Sequence, residues 1–179
     1  MSGADALARD GLRRGQRAPR WTLAGAAGTM HVSPPAGGLQ LIMFADHSLK
    51  SFPSVVAGLR ELRASVPPGD LEIVIMTRGA SAGARELLGP LGLDGIAVVT
   101  GSPATYAAYN VRVMPFAIFV DAAGEVRASS LVNHDWQLAK LRLVAQIPPE
   151  ADRASGLAGA GGAGGPAGAA GSAVVVAAG

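Results

Sequence analysis

The sequence contains no cysteine among its 179 residues. Disulfide bonds, thiolate metal ligands and catalysis by a thiol of this chain are therefore excluded. A chain without cysteine also carries no redox signature, so its composition does not indicate a compartment.

Charge of one sign and long apolar runs are also scarce. The formal net charge is only +2, and the arginines near the start lack interleaved aromatic residues, which favours a solvated basic segment over a nucleic-acid-binding arm. No apolar run approaches the roughly 20 residues that span a bilayer. The stretch after Arg13-Arg14 is not the apolar core of an export signal. We therefore predict a soluble, cytoplasmic protein that binds no nucleic acid.

Residues that could carry chemistry are few and scattered. His31, His47 and His134 lack the spacing of a metal site, so we predict no bound metal. The glycine-rich stretches are not phosphate-binding loops, and we predict no cofactor. The stretch Asp46-His47-Ser48 holds the residue types of a hydrolytic triad, but adjacent side chains rarely meet and no G-x-S-x-G motif surrounds them.

Composition and apolar periodicity divide the chain into three parts. Residues 1–15 form an N-terminal arm, residues 16–147 one folded domain, and residues 148–179 an alanine- and glycine-rich tail. The tail has too few apolar side chains to offset the entropy lost on ordering, so we predict that it is disordered.

The folded part alternates strand and helix patterns and ends with a hairpin and a helix. Continuous apolar runs predict buried strands at 39–44, 71–76 and 95–100, and helical spacing predicts helices at 52–64, within 81–92, and at about 103–109. An edge hairpin precedes these elements at about 21–32, and a second hairpin, turning at "DAAG", follows them at 116–132. This order predicts a mixed α/β sheet flanked by helices, with an N-terminal β-hairpin extension.

The closing helix and the two tryptophans give further predictions about the core. In the helix at about 136–146, we expect Leu138, Leu141 and either Val144 or Ala145 to share the buried face. Trp21 and Trp136 each border an amphipathic element, so we expect both to pack in the core.

Four stretches, in this order, carry a resemblance to a known family: "GQRAPRWTLAGAAG", "LIMFADHSLKS", "AAYNVRVMPFAIFVDAAGEVRA" and "SLVNHDWQLAKL". From about Gly15 to Gln146 the chain resembles the thioredoxin-like superfamily, in its redoxin branch of thiol-disulfide oxidoreductases. Within that branch it is most similar to the thioredoxin-like accessory proteins of methylamine utilisation. The resemblance implies a thioredoxin-like fold.

The resemblance also implies where the functional site lies. The two cysteines of the family's Cys-x-x-Cys motif fall on Ser48 and Ser51, and serine cannot form a disulfide. Met114-Pro115 matches the family's cis-proline, whose backbone faces the motif and pairs with an extended partner. The implied binding residues are His47, Ser48, Lys50, Met114 and Pro115, and no catalytic residue is expected.

Three functions are compatible with these residues. The first is a redox-inactive accessory factor that binds a protein or an extended peptide. The second is a thiol-disulfide oxidoreductase or antioxidant by family label only. The third is an unrelated activity that uses His47, Ser48, Lys50 or Ser51 in the former redox site. Structurally, the simplest interpretation of Ser48 or Ser51 is that its hydroxyl caps the following helix.

Overall fold

The computed structural model describes residues 10–25, 28–79 and 81–148. The chain divides into two units, Met1–Ile147 and Pro148–Gly179. Most of the predicted arm and nearly all of the predicted tail lie outside the described residues.

The described part contains strands and helices at nearly the positions that the apolar pattern predicts. The strands are β1 Trp21–Ala24, β2 Met30–Ser33, β3 Leu39–Phe44, β4 Leu71–Thr77, β5 Ala97–Thr100, β6 Phe116–Asp121 and β7 Val126–Leu131. The helices are α1 Phe52–Ala64, α2 Ser81–Leu88, α3 Pro103–Ala108 and α4 Trp136–Gln146, with a short 3-10 helix at Gly89–Leu91. The 3-10 turn follows α2 where "GPL" brings in a proline without an amide hydrogen.

Five strands form the central sheet in the order β5-β4-β3-β6-β7. Strand β3 runs parallel to β4, and β4 runs parallel to β5. Strand β6 is antiparallel to both β3 and β7. The middle strand, β3, is buried from Gln40 onward, as its continuous apolar sequence predicts. The predicted mixed α/β architecture is confirmed.

The N-terminal hairpin forms its own two-stranded antiparallel sheet from β1 and β2. Trp21 Nε1 donates a hydrogen bond of 2.9 Å to the hydroxyl of Tyr109, which in turn donates to the carbonyl of Pro19 at 3.1 Å. The buried Gln40 side chain donates to the Val32 carbonyl at 2.8 Å. Side-chain bonds therefore attach this extension to the main domain.

Helix α1 packs closely against the start of α4. Val55, Leu59 and Leu62 form the buried apolar stripe of α1. Gly58 lies on the same side, where a Cβ atom would stand only 2.7 Å from the carbonyl oxygen of Asp135. Glycine is required here because the backbone that precedes α4 occupies the space of a side chain.

The closing helix settles one alternative and corrects one expectation. Of the two candidates for its buried face, Ala145 completes that face of α4, whereas Val144 is 37% exposed. Trp136 is 55% exposed and is not a core residue, although its ring stacks on His134 with centroids 6.2 Å apart. Trp136 is the first residue of α4, and its indole packs on a residue of the loop before the helix. Trp21 does pack against the core, as predicted.

Candidate functional site

The predicted site lies in the loop that joins β3 to α1, residues 45–51. The amide of Leu49 donates to the Asp46 carbonyl at 3.1 Å, and the amide of Phe52 donates to the Leu49 carbonyl at 2.9 Å. Two consecutive turns thus lead the chain from the sheet into the helix, and Pro53 occupies the first helical turn, where its missing amide hydrogen costs nothing.

Asp46 organises this loop. Its Oδ1 accepts hydrogen bonds from the backbone amide of Ser48 at 2.9 Å and from the Ser48 hydroxyl at 2.8 Å. These two bonds hold the pKa of the Asp46 carboxyl below its ordinary value, and the nearby side chains of His47 and Arg78 act in the same direction. This role of Asp46 was not predicted from the sequence, although Asp followed two residues later by Ser is a pattern typical of a side-chain-closed turn.

The interpretation of Ser48 or Ser51 as a helix cap is wrong. Ser51 stands at the N-cap position of α1, but its side chain makes no capping hydrogen bond. The Ser48 hydroxyl donates to Asp46 and so is oriented by an acid rather than by the helix amides. The carboxylate of Asp46 is a charged acceptor two residues away, and the hydroxyl proton of Ser48 donates to it in a charge-assisted hydrogen bond.

The geometry does not support a serine nucleophile in this loop. His47 Nδ1 lies 3.6 Å from Asp46 Oδ1, but in the described part of the chain no hydrogen bond joins His47 to Ser48. A nucleophilic serine needs a base on its hydroxyl proton. The Ser48 proton points instead at a carboxylate whose pKa is lowered, which makes that carboxylate a poor base.

The second half of the predicted site is the segment that precedes β6. The Met114-Pro115 peptide bond is cis. Pro115 is buried, and its carbonyl accepts the amide of Val132 at 3.0 Å. Val113 is 49% exposed. Among the described residues, the backbone groups of 112–114 form no backbone hydrogen bond, so this segment offers unpaired donors and acceptors.

Sheet register places the two halves at one edge. Phe44, the last residue of β3, lies directly opposite Phe116, the first residue of β6. The loop 45–51 and the segment 112–115 therefore leave the sheet side by side. The exposed residues of the loop 45–51 include His47, Ser48 and Lys50.

A cavity adjoins this edge that the sequence did not predict. It has a volume of about 610 Å³ and lies beside α3. Its lining consists of Arg78, Gly101, Pro103, Tyr106, Ala107, Asn110, Val111 and Arg112. Arg78 follows β4, and the other seven residues lie within the stretch 101–112, so only the fold brings Arg78 to them.

Neither a metal site nor a membrane span is found where the structure describes the chain. The described residues hold no cluster of three or more potential metal ligands. None of their helices has the length and apolarity needed to cross a membrane.

Comparison with known proteins gives no family assignment from sequence but many structural matches. No family model matches the chain, and no curated protein matches it. A thiol:disulfide interchange protein of the thioredoxin family from Chlorobium tepidum TLS superposes with a TM-score of 0.62 at 12% identity, covering 74% of this chain and 98% of its own.

Two further solved structures agree. A thiol-disulfide oxidoreductase from Bacteroides fragilis NCTC 9343 has a TM-score of 0.59 at 16% identity and covers 72% of this chain and 99% of its own. A peroxiredoxin-like protein from Aquifex aeolicus has a TM-score of 0.60 at 13% identity, and the match covers 76% of this chain and 90% of the Aquifex chain. At these identities the likeness establishes the fold, which is thioredoxin-like.

Proposed function

We propose that this chain is a binding protein on a thioredoxin-like scaffold without thiol chemistry. It recognises an extended segment of a protein or peptide at the two adjacent loops 45–51 and 112–115, with His47, Ser48, Lys50, Met114 and Pro115 in contact with the partner. The observation that carries the proposal is that the segment 112–114 is exposed at Arg112 and Val113 and forms no backbone hydrogen bond with the described residues. It lies beside a loop that has serine at both motif positions.

The backbone of 112–114 supports recognition by strand-like pairing. An extended segment pairs with unpaired amides and carbonyls, and side chains beside them then select its sequence. Val113 is exposed on this segment, and Pro115 is fixed by its bond to Val132. The docking surface is thereby held on the sheet rather than on a free loop.

The structural neighbours would suggest thiol-disulfide exchange as the activity, but this chain has no thiol with which to perform it. The reaction requires a thiolate that attacks a disulfide, and the sequence has no cysteine. We expect the purified chain to reduce insulin no faster than buffer with the same thiol donor. An accessory role in a maturation pathway such as methylamine utilisation, in the cytoplasm, remains a hypothesis.

Site-specific photocrosslinking tests the proposal. A photoreactive amino acid replaces Val113 in the full chain, and a matched control places it at Leu143 on α4, which is 65% exposed. We expect a defined partner segment, identified by mass spectrometry, to crosslink at 113 and not at 143. Equal capture at both positions would show that contact is non-specific.

Binding of the identified segment as a synthetic peptide then tests the mode of recognition. Val113→Pro removes the amide hydrogen at the centre of the segment, whereas Val113→Ala keeps it. We expect Val113→Pro to weaken binding by about tenfold, the value of one hydrogen bond left unmade, and Val113→Ala to bind nearly as the wild type does. Identical affinities for the two variants would rule out backbone pairing.

A further inference from the structure

The cavity beside α3 opens at the same edge of the sheet as the proposed docking loops. Arg78 directly follows β4 and Gly101 directly follows β5, and the amide of Gly101 donates to the Thr77 carbonyl at 2.9 Å. The remaining lining comes from α3 and the loop after it, which ends at Arg112. Its volume of about 610 Å³ lies within the range of ligand sites, roughly 300 to 1,000 Å³.

The charged residues that line this cavity are both positive. Arg78 and Arg112 both line it, and its lining includes no aspartate or glutamate. Both arginines are exposed, and neither forms a hydrogen bond or ion pair with another described residue. Asp46 lies close enough for Arg78 to help lower its pKa, but its Oδ1 is occupied by Ser48. The cavity therefore presents two guanidinium groups to a ligand.

Apart from Asn110, the rest of the wall is largely apolar. The guanidinium carbon of Arg78 lies 4.7 Å from the centroid of the Tyr106 ring, a cation–π contact that fixes the direction of the arginine. The Tyr106 hydroxyl donates to the Met76 carbonyl at 2.9 Å, so the ring rather than the hydroxyl faces the ligand space. Pro103, Ala107 and Val111 add further apolar surface.

This combination matches a carboxylate on a short apolar stem. A guanidinium group binds a carboxylate through two parallel hydrogen bonds, and an apolar wall accommodates the methylenes that carry the carboxylate. A doubly charged phosphate would gain less from the apolar wall, because it exposes oxygens in every direction. Arg112 also begins the unpaired segment 112–114, so the cavity and the docking segment are continuous.

We infer that the cavity holds a carboxylate of the extended segment bound at 112–114. The inference rests on the proposed function for the identity of the partner, but the cavity's preference for carboxylates can be measured without it. The carboxylate belongs either to an Asp or Glu side chain or to the C-terminus of the segment, and the probes below separate the two.

The first experiment uses small probes and NMR of the full chain, following the arginine Nε–Hε signals. N-acetylaspartate N-methylamide presents a side-chain carboxylate, N-acetylalanine presents a terminal one, and N-acetylasparagine N-methylamide is the neutral control. We expect at least one carboxylate to shift the signals of Arg78 and Arg112, and the neutral probe to shift neither. Inorganic phosphate that binds more tightly than either carboxylate would overturn the preference.

Variants give a matched control. Arg78→Gln and Arg112→Gln should each weaken the carboxylate by about tenfold, because each removes a charge-assisted pair. Arg60→Gln removes an exposed arginine of α1 outside the cavity and should have no effect. Urea unfolding of each variant verifies that the fold is retained. Equal losses of carboxylate affinity in all three variants would show that binding depends only on the net charge of the protein.

The second experiment uses the segment captured at position 113. Replacing its acidic residues with amides, or amidating its C-terminus, should weaken binding about tenfold to the wild type but not to Arg78→Gln/Arg112→Gln. If the segment binds and neither replacement has any effect, the cavity inference fails and the proposed function survives. If no segment is captured but small carboxylates shift both arginines, the proposed function fails and the cavity stands as a carboxylate site.

Discussion

The Ser48 hydroxyl donates a 2.8 Å hydrogen bond to Asp46 Oδ1, the same oxygen that accepts the Ser48 backbone amide at 2.9 Å. One carboxylate thus fixes both the backbone and the side chain at the position that the family resemblance gives to the first motif cysteine. The environment of this position is set by an acid as well as by the helix that follows.

The Asp46–Ser48 pair makes stability depend on pH. The pKa of Asp46 is lower in the folded than in the unfolded chain, so its contribution is present above the unfolded value of about 3.9 and is lost as pH falls through the folded value. Ser48→Ala removes the side-chain bond and should lower the free energy of unfolding by about 1 kcal/mol at neutral pH. The loss should be smaller at an acidic pH low enough to protonate the carboxyl in the folded chain. Urea unfolding at both pH values measures the difference. A loss that is independent of pH would show that the hydroxyl bond does not act through the carboxylate.

Cysteines introduced at the two motif positions test the register of the resemblance. Ser48→Cys/Ser51→Cys places two thiols about one turn apart where the chain enters α1, and we predict an intramolecular disulfide on mild oxidation. Weak reductase activity should follow when a thiol donor is supplied. The helix N-terminus favours a thiolate at position 48, but the Asp46 carboxylate disfavours it. Adding Asp46→Asn should therefore raise the activity.

The control for this variant shifts the pair by one residue, to His47→Cys/Lys50→Cys. Free-thiol titration after oxidation compares the two pairs. The assignment of Ser48 and Ser51 to the motif is wrong if the shifted pair closes readily and the original pair stays reduced.

Two helical glycines should respond in opposite ways to alanine. Gly58→Ala would place a Cβ atom 2.7 Å from the Asp135 carbonyl oxygen, which belongs to backbone and cannot easily move. We expect a loss of about 1 to 3 kcal/mol in the free energy of unfolding, even though alanine favours helix.

Gly83→Ala is the matched comparison. Its Cβ atom would lie 3.3 Å from His47 Nε2, and His47 has a side chain that is 42% exposed and can shift. We expect the free energy of unfolding to stay unchanged or to rise by up to about 1 kcal/mol. Denaturant midpoints of both variants provide the measurement, and similar destabilisation at the two positions would contradict the packing difference.

The two tyrosines of the chain should resist ionisation while it is folded. Burial raises the pKa of both Tyr106 and Tyr109 above the ordinary value of about 10. Their contribution to stability is therefore complete below about pH 10 and is lost as pH rises above it. Tyrosinate absorbance and circular dichroism, followed together, should change in one transition well above pH 10. Tyrosinate formation near pH 10 with a native circular dichroism spectrum would mean that the rings are accessible to water.

Local sequence patterns were enough to predict the secondary structure and the chemistry that the chain lacks. Strand β3 and helix α1 lie where "LQLIMF" and the apolar spacing of 52–64 predict them, because local periodicity decides which residues one face of an element can bury. The absence of cysteine excludes a thiol cycle in any fold. The turn at Asp46-x-Ser48 was also local and could have been found from its pattern.

Contacts between distant segments depend on the fold. Arg78 lines one cavity with Tyr106 and Arg112, which belong to the stretch 101–112, because the carboxyl ends of β4 and β5 lie at one edge beside α3. Which side chain completes the buried face of α4, and why Gly58 must lack one, likewise depend on the neighbouring element. Helical periodicity predicts the buried stripe of a helix only to within about one residue, so it is compatible with either Val144 or Ala145 on that face. Packing against the sheet makes the choice.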